Sequence, residues 1–328
     1  MEIDTKLSQQ ISQVGQEPLY DNYCKQLLSN KHILAWIMKE CTTEYHDLPI
    51  DDIATKYIEG EPSVSTINLT TGDTVTGMPN EDIGINEGKI VYDIRYKAIC
   101  PTEDGFIDLI INIEAQNQYN PGYPLVRRGI YYSSRMISGQ YGTSFTKAEY
   151  GKLKKVYSIW ICRNVPKKLQ NSITSYDLKE TNHVGHVKEK KAHYDLMSVV
   201  MVYLGSAGSG QDSKLLTMLN AALSSNVNAD KKLDILANEY HIPKTETLEK
   251  EVRLMCNLSQ GVKEEGRQEG LQEGRQEGLQ EGRQEGLVAA VVNIMNSLKV
   301  SIGEALTIAG IPEAERDTYA ANVAKLMK

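Results

Sequence analysis

Residues Lys89 to Gln118 read KIVYDIRYKAICPTEDGFIDLIINIEAQNQ, and no other stretch of the chain narrows the fold as much. Lys89 to Ile99 alternates in polarity and is rich in Val, Ile and Tyr, the pattern of a strand. Phe106 to Ala115 is a near-continuous apolar run, as expected for a central strand covered on both faces. The segment between them, Pro101 to Gly105, has the composition of a tight reversal. Among the polar residues of this hairpin, the candidates for chemistry are Asp93 on the first strand, and Glu114 and Gln116 near the end of the second. Glu114 and Gln116 are two apart, so their side chains leave the same face. A buried carboxylate is costly unless it is paired or holds a metal. Two carboxylates and an amide converging on one sheet therefore point to a hard-oxygen site for Mg²⁺ or Mn²⁺.

An Asp, a hairpin and then Glu-x-Lys form the metal-binding signature of the PD-(D/E)xK nuclease fold, which this region resembles. Glu114-Ala115-Gln116 carries Gln in place of Lys, as in the branch of recombination-promoting nucleases, the PD-(D/E)xK family transposases. Asn86-Glu87-Gly88, the run Arg127 to Gln140, Lys155 to Cys162, Tyr194 to Leu196, Arg253 to Cys256 and the Glu-Gly repeats are similar to that family as well. The resemblance implies an α/β fold, a restriction-endonuclease-like αβββαβ core with a C-terminal α-helical region. It also implies a Mg²⁺-dependent (or Mn²⁺-dependent) endonuclease acting on DNA, linked to recombination, mobile DNA or the limiting of foreign DNA. Asp93 and Glu114 would be the metal ligands, with Gln116 at the third catalytic position. The alternative is a nuclease-fold protein that binds DNA or assembles but has lost cleavage. Asp93 and Glu114 are both present, which counts against it. A structure-selective RNA nuclease is the third reading.

A chain of 328 residues has room for one substantial core and a smaller helical region. The expected division is a nuclease-like domain over 1–205, a helical extension over 206–262, a Gly-Glu repeat over 263–287 and a helical hairpin over 288–328. The formal charge of −7 argues against a generally basic nucleic-acid binder, but the charge is unevenly spread. From Pro121 to Gln170 the chain carries Arg127, Arg128, Arg135, Lys147, Lys152, Lys154, Lys155, Arg163, Lys167 and Lys168, opposed only by Glu149. Arg127, Arg128, Arg135, Lys154 and Lys155 are the candidate DNA contacts, the plainer reading being a solvated helix face. No apolar run of about 18 residues exists to span a bilayer. The N-terminus lacks the basic start and apolar middle of a signal peptide. Cys24, Cys41, Cys100, Cys162 and Cys256 are odd in number and contain no C-x-x-C, which points to reduced thiols and a cytoplasmic location.

Apolar spacing predicts one helix over Asp21 to Cys41, with Asp21 as its cap, and a short helix after Pro49. Glu40 and Glu44 are positional candidates for an extra acidic ligand, set against an ordinary role as surface glutamates. Glu59 to Gly88 reads as loops with one short strand around Ser65 to Thr70. Glu87 would share a face with Asp93 if the strand reached back that far, and is equally compatible with a turn. Leu125 to Tyr141 is the expected crossover helix, its aromatic and Ile residues packed on the sheet and Arg127, Arg128 and Arg135 reaching outward. Gln140 ends it and matches the family's helix glutamine near the active site, or serves only as a cap. Lys155 to Cys162 is the strand expected to close the sheet, with Trp160 in the core.

His183, His186 and His193 invite a zinc reading, but no cysteine lies nearby and a histidine-bearing loop is the simpler account. The chain has no G-x-x-x-x-G-K-[ST] loop and no G-x-S-x-G. From Tyr194 onward helices are expected: Asp195 to Leu204, then Ala229 to Tyr240 and Thr245 to Leu258. Gly266, Gly270, Gly274, Gly278, Gly282 and Gly286 recur every four residues, each preceded by Glu. Glycine costs a helix about 1 kcal/mol against alanine, and like charges at i,i+4 repel. The repeat is therefore either a flexible tether or a helix formed on packing, in its functional version against a second copy of the chain.

Overall fold

The computed structural model describes residues 16–64, 81–84, 88–102 and 105–326. The chain forms two compact units, Met1–Gly261 and Val262–Lys328. In the first, helices α1 (Gln16–Leu28) and α2 (Lys31–Cys41) precede a short α3 (Ile50–Asp52) that runs into a π turn at Ile53–Tyr57. The single helix expected over Asp21 to Cys41 is broken in two. Asn30 supplies the reason, because its side chain accepts from the backbone N–H of His32 and Ile33 and so caps a new helix. Asp21 lies inside α1 and caps nothing.

Strands β1 (Ile58–Val64), β2 (Glu81–Gly84), β3 (Gly88–Val91), β4 (Ile94–Thr102) and β5 (Gly105–Gln116) follow. After the crossover helix α4 (Leu125–Ser138) come β6 (Lys155–Cys162), β7 (Ser172–Asp177), a short α5 (Lys191–Tyr194) and β8 (Met197–Tyr203). The main sheet has six strands in the order β1-β4-β5-β6-β8-β7, while β2 and β3 pair separately. β4 and β5 form the expected antiparallel hairpin, in register from Ile94↔Ile113 to Thr102↔Gly105. β5, β6 and β8 are mutually parallel.

Lys155 to Cys162 does not close the sheet, because β8 pairs beyond it and β7 forms the edge. Asp195 to Leu204 is not helical. Its stretch Met197–Tyr203 is the strand β8, in keeping with the β-branched content of SVVMV. The strand expected around Ser65 to Thr70 lies outside the described residues, as does Glu87.

The strand period of two divides the side chains between two cores. Leu109, Ile111 and Ile113 of β5, with Tyr157, Ile159 and Ile161 of β6, face α1, α2 and three later helices. These are α6 (Lys214–Ala222), α7 (Ala229–Asn238) and the first turns of α8 (Glu246–Leu298). Ile110, Val156, Trp160, Val199 and Met201 face the other way, under Leu125, Tyr132 and Met136 of α4. Contact there is close at Gly129, where a Cβ would stand 2.6 Å from Val199 Cγ1 and 3.0 Å from Trp160 Nε1. The second unit has its own small core, in which Val288 and Val291 of α8 pack with Leu306 of α9 (Ile302–Ile308) and Val323 of α10 (Arg316–Leu326). The glycine repeat lies within α8 and is helical, and a Cβ at Gly274, Gly278, Gly282 or Gly286 would meet none of the described residues within 4 Å outside its own helix backbone. Among the described residues no single helix is long and apolar enough to cross a membrane.

Candidate active site

The two carboxylates singled out by the hairpin meet in the folded chain. Asp93 lies at a bend between β3 and β4 rather than inside one long strand. The break aims its side chain along the end of β5. Asp93 Oδ2 accepts from the Ala115 backbone N–H at 2.9 Å, and Glu114 Oε1 accepts from the Asp93 N–H at 3.2 Å. Each carboxylate is thus held by the backbone beside the other. The buried Tyr92 packs edge-on to Tyr132 of α4, at 5.4 Å between ring centroids, and fixes the bend against the second core.

Glu114 is only 3 % exposed, one strand away from Trp160 and on the face that α4 covers. Burial, and then repulsion from Asp93, push its carboxyl up to about 8 from an ordinary 4.5, while Arg128 and the Asp93 N–H pull the other way. Arg128 lies over the Trp160 ring at 5.3 Å and donates to the Tyr132 hydroxyl from both Nε and Nη2, at 3.1 and 2.6 Å. Gln116 follows on the same face of β5, and its Nε2 donates to the Gln118 carbonyl at 2.7 Å. A cleft of about 880 Å³ opens at this point, lined by Gln116, Asn117, Gln118, Tyr119 and Asn164 from the strand ends and by Asp21 from α1.

Sequence reasoning missed one residue here. Lys25, in the last turn of α1, places Nζ 2.6 Å from Asp93 Oδ1, the two side chains being 22 % and 15 % exposed. No motif marks it. The only local sign is its position four residues after Asp21, which puts both on one helix face.

The remaining candidates sort by their level along the sheet. Gln140 is buried, and its amide clamps the Lys154 backbone, with Nε2 donating to the carbonyl and Oε1 accepting from the N–H. That clamp holds the start of β6, where Lys155 is opposite Leu109. Glu114 is five residues further along β5, about 17 Å away. Gln140 is therefore not at the carboxylate pair. Lys154 and Lys155 share that far end. Lys154 pairs with Asp108 at 2.6 Å, and the buried Lys155 bridges Glu44 at 2.8 Å and Asp195 at 2.9 Å. Arg135, expected to reach outward, is buried under α4. Of the five expected DNA contacts, only Arg127 and Arg128 remain at the carboxylate end with exposed surface. Glu44 also accepts from the Tyr157 hydroxyl, and Glu40 caps α6 through Ser213 and the Leu215 N–H. Both are structural, neither free surface groups nor site ligands. His193 pairs with Glu189, and no group of three or more His, Cys, Asp or Glu is placed to hold a metal among the described residues.

Residues 83–206 match the family model of the PD-(D/E)XK nuclease family transposases. The six-stranded mixed sheet with its flanking helices is consistent with the PD-(D/E)XK α/β nuclease fold, followed by a helical C-terminal region. The match supports a nuclease-like function for this segment, which contains Asp93, Glu114, Gln116 and Arg128 but not Lys25. No curated protein and no solved structure matches the chain.

Proposed function

We propose that the protein is a divalent-metal-dependent endonuclease that hydrolyses DNA phosphodiester bonds, in line with a role in recombination or the movement of DNA. The observation that carries this reading is the contact between Asp93 and Glu114, with the Glu114 carboxyl pushed up to about 8 by burial and by its neighbour. Two carboxylates forced together in a buried place are costly unless a cation joins them. Their oxygens are the hard donors that Mg²⁺ or Mn²⁺ prefers, so the donor set fits such an ion. When bound, the ion would polarise a phosphate and activate water at neutral pH.

The chain's own groups have distinct tasks in this scheme. Asp93 and Glu114 would hold the ion. Gln116, on the same face and at the mouth of the cleft, can orient water or a phosphate oxygen through its amide but brings no charge. Arg128, fixed by Tyr132 and Trp160, offers a guanidinium for the phosphate backbone beside Glu114. Arg127, one residue earlier and exposed, would extend that contact. All five cysteines are free and buried, which fits work in a reducing compartment such as the cytoplasm.

The deciding experiment is plasmid cleavage by the full-length protein in Mg²⁺, Mn²⁺, Ca²⁺ or EDTA, beside Asp93→Ala and Glu114→Ala. Nicking or linearisation that requires Mg²⁺ or Mn²⁺ and disappears in both variants is the expected result. Intact DNA with a folded, DNA-bound protein would leave a nuclease-fold binding protein. Cleavage that survives both substitutions would place the chemistry elsewhere.

A further inference from the structure

We propose that Lys25 supplies the cation that Gln116 leaves out of the strand motif, and that its ammonium contacts the substrate phosphate. The inference rests on the nuclease reading above and adds to it a group from outside the segment that matches the family.

Asp93, a phosphodiester and, once ionised, Glu114 bring negative charge to one place. At the position two residues after Glu114 stands a neutral amide, whose nitrogen is already bonded to the Gln118 carbonyl. Arg128 and Lys25 come near the carboxylates instead. Arg128 lies beside Glu114, but it is stacked on Trp160 and held by two hydrogen bonds to Tyr132. Lys25 lies on the other side, at 2.6 Å from Asp93 Oδ1, and its only ion pair among the described residues is that one. A lysine is a compact point charge on a flexible stem, suited to moving a short way between a carboxylate and a phosphate.

The helix that carries Lys25 is fixed, so the charge is delivered to a set place. Leu19, Cys24, Leu27 and Leu28 of α1 are fully buried. The Tyr20 hydroxyl donates to the Leu223 carbonyl at 3.0 Å. Asp21 pairs with Arg163, the residue that follows β6. Asp21 also lines the cleft at Gln116, so the face of α1 that bears Asp21 and Lys25 looks onto the proposed substrate path. In the metal-free protein Lys25 neutralises Asp93. With that carboxylate committed to a divalent ion, the Lys25 ammonium would be free to contact the phosphate.

The test compares wild type with Lys25→Met, Lys25→Gln, Lys25→Arg and the double variant Lys25→Met/Gln116→Lys, all in the full-length chain. Duplex DNA binding is measured in Ca²⁺ over a range of salt. Loss of one phosphate contact lowers the slope of log K against log salt by about 0.9, and Lys25→Met and Lys25→Gln are expected to show that decrease. Single-turnover plasmid cleavage in Mg²⁺ is expected to fall by about 100-fold in the same two variants. Lys25→Arg should retain the slope, and moving the charge to position 116 in the double variant should restore both readouts. An unchanged slope with an unchanged rate in Lys25→Met overturns the proposal. So does the unfolding of both neutral variants, which would make Lys25 a structural pin. A wild type that neither binds nor cuts DNA refutes the nuclease reading itself, whereas a cutting wild type with an indifferent Lys25 refutes this inference alone.

Discussion

Glu114→Gln gives a test of the carboxylate pair that does not depend on any activity. The substitution keeps shape and hydrogen-bonding capacity while removing the charge. In the metal-free folded chain the Glu114 carboxyl titrates near 8 instead of 4.5. Between those two values the folded state holds a proton that the unfolded state has released, so stability falls as pH rises. The penalty is absent below about pH 4.5 and complete above about pH 8. A shift of this size corresponds to about 5 kcal/mol at most. Glutamine does not titrate, so Glu114→Gln should gain on wild type as the pH is raised from 5 to 9. Denaturant titrations of both proteins in EDTA at several pH values read the difference directly. Glu251, whose carboxyl is raised to about 7 by burial, contributes equally to both chains and cancels.

Adding Mn²⁺ at pH 8 should narrow that gap. At a hundredfold excess over Kd, a bound ion stabilises wild type by about 2.7 kcal/mol, and the glutamine variant by much less. Parallel pH profiles for the two proteins would refute the reasoning, since neither burial nor Asp93 would then be setting the state of Glu114. A shift induced by Mn²⁺ that is the same in both would remove Glu114 from the ligand set.

Three further substitutions probe the frame around the site. Lys155→Met removes the buried cation that Glu44 and Asp195 share, leaving Asp195 only its 3.4 Å pairing with the exposed Lys191, and should cost about 3–5 kcal/mol in denaturant melts. Adding Glu44→Gln and Asp195→Asn should recover most of that loss. Gly129→Ala gains helix propensity but drives a methyl into Val199 and Trp160, so a net loss of about 1–3 kcal/mol is expected in the same assay. A stabilised Gly129→Ala would mean that α4 can lift off the sheet freely. Lys232 is fully buried beside Cys24 and Cys256, without an ion pair among the described residues, and burial lowers its pKa from 10.5. Lys232→Met should therefore stabilise the protein by about 1–3 kcal/mol near neutral pH. Because the folded wild type binds fewer protons than the unfolded chain as pH approaches 10.5, that gain should shrink there.

The hairpin was legible because everything that defines it is local. The alternation before Pro101, the apolar run after Gly105 and the two-residue spacing of Glu114 and Gln116 lie within one stretch, and the observed register agrees with them. The extents of the crossover helix and β6 were legible for the same reason, but not the helix's outer face, since Ile130 and Tyr131 are exposed and Arg135 is buried. β8 was not, since a short apolar run such as MSVVMVY suits a buried strand or a buried helix until its neighbours are known. Pairing with β6 on one side and β7 on the other decides it.

The same limit explains how the basic residues sorted. Spacing tells which face a side chain takes, but its level along the sheet depends on register with another strand. Lys155 falls opposite Leu109 and Trp160 opposite Glu114, so charges equally close to the motif in sequence end at opposite ends of β6. Lys154 and Lys155 became counter-ions of Asp108, Glu44 and Asp195 at one end. Arg128 alone among the expected contacts reached the influence of Glu114, because the first turns of α4 cross the end of β6 that carries Trp160. Lys25 arrived by the opposite route, from a helix distant in sequence and without a motif, through packing that only the assembled core imposes. The site's carboxylates are thus a property of a local pattern, while its cations are a property of the tertiary fold. Scanning for the missing lysine near Glu114 could not have found it.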